Sequence, residues 1–421
     1  MNEQLLQFIW LHQYFNKNQL CTTDGEPLQI IKPGTLNSNQ GPDFLNARIR
    51  VGKTLWAGNI ELHILASDWH KHRHALNENY QNIVLHVVWK NDGPKKALVG
   101  FPELELQSLV PKLMLNRYQK LMQSETFIPC GNAISTVNEL VFAAWKEKLL
   151  VERLEEKVNT VFAMLLETGD NWEEVFWRLL CRNFGVKVNA GPFESAARQL
   201  PYKVLMRNRN SLVKLEALLM GQTGLLNDSF TDEYPLQLKK EFLALKAKYN
   251  LPRSLEGVLF LRMRPQAFPT IRLSQLAAFL HRNSRPFMQV VEAASYNELH
   301  EMFRLPASGY WENHYRFDAV SGRANKTMGD EMINNIIANT ITPFVFAWGI
   351  YQSNEQVKQK ALNWLISIKP EENIITKGFR KLGVTARSAY DSQALIQMRN
   401  QYCREKRCLE CAVGSALVRK N

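Results

Sequence analysis

Asp43, Glu61 and His63 are the residues whose types and spacing most directly suggest chemistry. A hard divalent cation that keeps several waters and also takes a phosphate oxygen needs two carboxylates and a third polar group. Gly52-Lys53 lies between two runs of strand-forming residues and reads as a tight turn. Counting outward from that turn, Asp43 faces Leu62, with Glu61 and His63 on either side. Strand side chains alternate, so Glu61 and His63 share one face and Asp43 lies diagonally across from both, within reach of one ion. Magnesium or manganese there would stabilise developing charge and lower the pKa of an attacking water. A slip of one residue upsets this register unless a bulge absorbs it.

Other residues could serve the same chemistry, and each also has a plainer explanation. His70, His72 and His74 follow the second strand, and His86 on the next strand can approach them. They either orient the carboxylates and touch phosphate, hold a separate zinc through His70 and His74 at helical spacing, or simply line a polar helix. Asn39 and Gln40 offer amides to a phosphate or merely form a loop. Glu3 is a candidate extra carboxylate. Arg262, Arg264 and Arg272, set among prolines and Phe268, suit a nucleic-acid backbone or buried ion pairs equally well. Trp311, His314 and Tyr315 could stack on bases, but aromatic residues at such spacing more often fill a core. Cys403, Cys408 and Cys411 form C-x4-C-x2-C between basic residues, with Cys130 as a candidate fourth ligand that would clasp the C-terminus to the N-terminal module. Zinc, an iron–sulfur cluster or reduced structural thiols all fit that pattern.

The elements that must position these groups are read from periodicity. Leu5 to Phe15 has helical spacing; Leu28–Ile31, Phe44–Val51 and Leu55–Leu65 are strand-like; Ser67-Asp68 reads as a helix start, followed by a polar stretch to Asn79; Ile83–Trp89 is a buried strand. The order is α-β-β-β-α-β. From Val137 the spacing becomes that of long helices, and Leu251–Leu280, with its alternating prolines and arginines, reads as an extended crossing between helices. Three segments follow: an α/β module over 1–130, a mainly helical region over 131–376, and a basic segment over 377–421 carrying the cysteines and packing back on the module.

In a chain of 421 residues, 45% hydrophobic and 10% aromatic, there is ample material for real cores. Six scattered cysteines are no disulfide framework. The lack of a leader and of a long apolar run leads to the expectation of a cytoplasmic, non-membrane protein. Lys and Arg exceed Asp and Glu by 52 to 40, a net charge of +12. Residues 377–421 hold ten of the basic residues against three acids, which suits either a phosphate backbone or a solvated helix surface. No Gly-rich nucleotide loop or nucleophile elbow is present, so a nucleotide cofactor and covalent catalysis lack support.

Pro42-Asp43, a hairpin, and Glu61-Leu62-His63 together resemble the PD-(D/E)xK motif of restriction-endonuclease-like proteins, and the element order is similar to that superfamily's core. The resemblance implies magnesium held by Asp43 and Glu61, with His63 in the place of the usual Lys that assists the attacking water. Histidine is not a fixed positive charge, so the departure bears on catalysis more than on fold. Over nearly its whole length the chain also resembles an uncharacterised bacterial family, the domain of unknown function numbered 2851. That likeness rests on Asn39–Phe44, Gly58–His63, Asp68–His70, Arg264-Pro265 with Pro269–Leu273, and Cys403–Cys411. The expected function is a metal-dependent nuclease-like hydrolase acting on DNA or RNA. The alternatives are a catalytically silent nucleic-acid-binding protein of the same fold and a helical protein-interaction scaffold.

Overall fold

A computed structural model describes every residue except Ser38, 73–77, 94–99, 254–256, Arg262 and Asn421. The chain forms two units: Met1–Trp145 with Met398–Asn421, and Lys146–Gln397.

The first unit opens with helix α1 (Glu3–Leu11), whose N-terminus is capped by the Asn2 side chain accepting from the Leu5 N–H at 2.9 Å. Leu5, Leu6, Phe8, Ile9 and Trp10 are buried, and the helix packs against the long strand of the sheet. That sheet contains β1 (Leu28–Lys32), β2 (Thr35–Leu36), β3 (Phe44–Val51), β4 (Thr54–Leu65), β5 (Ile83–Lys90) and β6 (Glu103–Glu105). Its order is β1-β3-β4-β5-β6, with β2 pairing β3; β1, β3 and β4 are antiparallel neighbours, while β4, β5 and β6 run parallel. The mixed architecture thus adds two short strands, β2 and β6, to those the sequence suggests. Neither has enough apolar residues to announce itself locally; β6 is recruited by pairing with β5.

Near its turn the β3–β4 hairpin has the expected register, with Val51 opposite Thr54 and Ala47 opposite Gly58. A bulge then intervenes, and Phe44 pairs with Ile60. Asn46 lies in the bulge at φ 59°, a left-handed conformation that Asn tolerates better than most residues. The side-chain phase switches there too, so that Phe44 is buried on the same side as Ala47, Ile49 and Val51. At Gly58 the backbones of β4 and the chain leading into β5 come so close that a Cβ would stand 2.6 Å from the Asn82 carbonyl oxygen.

Between β4 and β5 the chain makes helix α2 (Asp68–Lys71), a single turn. From Ile83 to Val88 every side chain of β5 is buried, as a strand flanked by parallel neighbours requires, and His86 is the polar residue inside that run. Helix α3 (Lys112–Gln123) packs against the C-terminal helix Ala412–Arg419, and Lys406 donates to the Met122 carbonyl at 2.6 Å.

The second unit is helical, as the spacing predicts, around a large core that includes Trp177, Phe184, Phe279, Phe303 and Phe344. Among the described residues its strands are the short pair His314–Arg316 and Ala319–Val320. The reading of 251–280 as wholly extended is corrected: Pro269 opens a helix running to Arg282, because proline at the first position gives up an N–H that no helix would use. No described helix is long and apolar enough to cross a membrane.

Candidate functional site

The bulge decides where the acidic groups meet. By resetting the register it places Asp43 beside Glu61 rather than Leu62. The Asp43 backbone N–H donates to Glu61 Oε2 at 3.0 Å, and the Leu62 N–H returns the bond to Asp43 Oδ2 at 2.9 Å. The Gln7 amide on α1 donates to Asp43 Oδ1 at 2.7 Å. Glu61 pairs in register with His86, and His86 with Glu103. One row of polar residues therefore runs from Asp43, just before β3, across β4, β5 and β6 through Glu61, His86 and Glu103. His63 stands two residues beyond Glu61 on the same face.

The row is dry at one end and open at the other. His86 and His63 are buried, as are Glu61 and Glu103, while Asp43 is half-buried. Burial first, and the Asp43 charge second, push Glu61 up to about 8. Asp43 is also raised, chiefly by burial, against the hydrogen bonds from Leu62 and Gln7. Glu3 on α1 adds to the repulsion felt by both. Tyr80 is pushed up to about 12, by its own burial and then by these two carboxylates. Such a pocket of poorly solvated negative charge is relieved by a proton or a cation.

His63 Nδ1 is 2.9 Å from His86 Nε2, and His86 Nδ1 is 3.1 Å from Glu103 Oε2. His63 Nε2 faces His72 Nδ1 at 3.3 Å and Glu61 Oε1 at 3.8 Å. The Asn91 amide donates to Glu103 Oε1 at 2.7 Å. The Trp69 ring stands edge-on to both His63 and His86, at centroid distances of 6.2 and 5.4 Å.

Asp43, Glu61, His63 and His72 are thus gathered together with His86. His70 is exposed on α2 and Gln40 is exposed in the loop before Asp43. His74 and Arg262 lie outside the described residues. Arg264 and Arg272 belong to the second unit, Arg264 exposed and Arg272 drawn down to about 10 by burial, its Nη1 donating to Gln275 at 2.9 Å. Trp311 is in the core of that unit, and His314 stacks on Tyr310 at 4.0 Å. Glu103, Asn91 and Gln7 are missing from the sequence reading. The partners of the first two become visible only once β6 is paired with β5, and Gln7 lies on the polar side of an apolar helix.

The thiols of Cys130, Cys403, Cys408 and Cys411 form no disulfide and are buried, close enough to oppose one another's ionisation. Burial and then the neighbouring thiols push Cys130 up to about 12. Among the described residues no group of three or more His, Cys, Asp or Glu forms a ready-made ion cage. A concavity of about 810 Å³ in the second unit is lined by Arg182 and Arg198, but Glu194 and Glu167 already pair with these.

The first unit is a mixed α+β module whose sheet carries a row of acidic residues and histidines. The chain belongs to the family described as "Protein of unknown function (DUF2851)", which matches residues 3–374. That match covers most of the chain and ends before the C-terminal cysteines. No curated protein and no solved structure matches the chain.

Proposed function

We propose that the first unit is a metal-dependent nuclease-like module, built on a restriction-endonuclease-like core and acting on phosphodiester bonds of DNA or RNA. The observation that carries this reading is the convergence of Asp43 and Glu61 at the bulge, with His63 alongside and too little solvation for two negative charges. Magnesium or manganese fits such a donor set, because these ions accept one or two carboxylates and fill the remaining positions with water and phosphate. When bound, the ion stabilises charge building on the phosphate and makes a nearby water more acidic.

The chain's own residues supply the rest. Gln7 and the Leu62 N–H hold the Asp43 carboxylate in one orientation. His63, whose Nε2 lies 3.8 Å from Glu61 Oε1, would take up the proton of an attacking water once substrate and ion open the site. Arg48 and Arg50 are exposed on β3, and Lys32 lies directly opposite Arg48. Like charges facing each other cost stability, and a polyanion lying on the sheet would offset that cost.

Purified full-length protein should cleave mixed nucleic acids with magnesium or manganese and lose at least about a hundredfold in rate on Asp43→Ala or His63→Ala. Undiminished cleavage by the Asp43→Ala protein would dismiss the site. Salt-dependent binding without cleavage across magnesium, manganese and zinc would instead identify a silent nucleic-acid-binding relative, in keeping with a histidine where the motif has lysine. Zinc and iron analysis of the same preparation tests the four thiols.

A further inference from the structure

We propose that Asn91, Glu103 and His86 are positioning residues that fix His63 in a single tautomer, with its proton on Nδ1 and its Nε2 left as an acceptor facing His72, with Glu61 beyond. The catalytic meaning of this arrangement rests on the nuclease-like reading, whereas the tautomer itself does not.

Each step follows from the one before. The Gly93 backbone N–H can only donate, and it donates to Asn91 Oδ1 at 2.8 Å. The Asn91 amide is thereby oriented with its NH2 toward Glu103, to whose Oε1 it donates at 2.7 Å. As a carboxylate, Glu103 can only accept, so the group 3.1 Å from its Oε2 must be His86 Nδ1–H. In a neutral ring this leaves His86 Nε2 as acceptor. Its partner at 2.9 Å, His63 Nδ1, must then carry a proton. His63 Nε2 is left as the acceptor, facing His72 Nδ1 at 3.3 Å and Glu61 Oε1 at 3.8 Å.

The direction is set at Glu103, which as a carboxylate accepts at both oxygens, while the Gly93 N–H fixes which way the Asn91 amide faces. It is also shielded from water: His86 is 0% exposed, His63 1% and Glu103 5%. A buried sequence of hydrogen bonds of this kind holds its members in register more firmly than exposed pairs could. Carboxylates orient a working histidine directly in many metal sites. Here a second histidine is interposed, so the instruction passes through two imidazoles before reaching the nitrogen beside Glu61.

The test is side-chain nitrogen NMR of the full-length protein labelled with ¹⁵N-histidine, with signals assigned by replacing His63 and His86 singly with Gln. At neutral pH both rings should show a protonated Nδ1 and an unprotonated Nε2. A proton on His63 Nε2, alone or together with one on Nδ1, overturns the proposal. Glu103→Gln should reverse both rings: Asn91, held by Gly93, still donates, so the new amide turns its oxygen to Asn91 and its NH2 to His86. Adding Asn91→Asp should restore the original tautomers, because a carboxylate in place of that amide can accept from both Gly93 and the new glutamine. A Glu103→Gln protein that stays folded and keeps the wild-type pattern also overturns it. Where wild type cleaves, the single variant should lose about 10- to 100-fold and the double variant should recover. An inactive wild-type protein with the expected tautomers would sink the nuclease reading and leave the proton arrangement standing.

Discussion

Glu61 holds its proton far longer than an exposed glutamate would, because burial and the neighbouring Asp43 both disfavour its charge. A carboxyl raised in this way binds its proton more tightly in the folded than in the unfolded chain. Its contribution to stability is complete below the unfolded value of 4.5 and is lost as pH rises through about 8. Wild type should therefore lose stability between these limits relative to Glu61→Gln, by on the order of a few kcal/mol at most. Urea unfolding of the two full-length proteins at pH 5 and pH 8.5 measures the difference, and parallel pH dependences would contradict the burial argument. Magnesium should narrow the gap at high pH, since a cation replaces the missing proton. At this scale the sequence was informative: Asp43, Glu61 and His63 stand out by type and spacing, and the turn at Gly52-Lys53 brings them together. What spacing could not reveal was Glu103, because a glutamate in a three-residue strand with a single apolar neighbour looks like any surface acid.

Two features of the β3–β4–β5 region govern the geometry. The bulge at Asn46 shifts Asp43 by one place, from Leu62 to Glu61, and without it the carboxylate row would break. Sequence reasoning allows for a bulge without locating one, because the alternation in β3 stays plausible in either phase until Phe44 is seen to be buried alongside Ala47. Asn46→Gly should keep the fold and the metal response, whereas Asn46→Val, forcing a β-branched residue into the left-handed region, should cost about 1–3 kcal/mol and weaken metal binding. Gly58→Ala should also destabilise, by about 1–3 kcal/mol, since the added carbon collides with the Asn82 carbonyl and pries β4 from the start of β5. Thermal unfolding and calorimetric magnesium titration distinguish a register defect, which loses metal response, from simple loss of packing. At α2, Ser67-Asp68 correctly marks a helix start and Asp68–Lys71 forms one turn, while 73–77 of the polar stretch that follows lie outside the described residues.

At the scale of the molecule, charge is the property that reaches furthest. Exposed Arg48, Arg50 and Lys32 belong to the same unit as the acidic row, so a nucleic acid on that face would be bound mainly through its phosphates. Replacing Arg48 and Arg50 with Ala should weaken binding across sequences alike and lower the salt slope by about two. An unchanged slope in a fluorescence titration would move the footprint elsewhere. The helical character of the second unit was plain from Val137 onward, since long periodic stretches are the easiest elements to read. The composition of the first unit was harder, because it depends on residues far apart in the chain: Met398–Asn421 completes a body begun at Met1, with Cys403, Cys408 and Cys411 brought near Cys130. On a ribosome, the sheet and its carboxylates emerge early, yet the helix that packs on α3 is synthesised only after all of Lys146–Gln397. Maturation of the N-terminal module must therefore wait for translation to pass the entire helical unit, so an interrupted or truncated product would carry the sheet without the helix that covers α3.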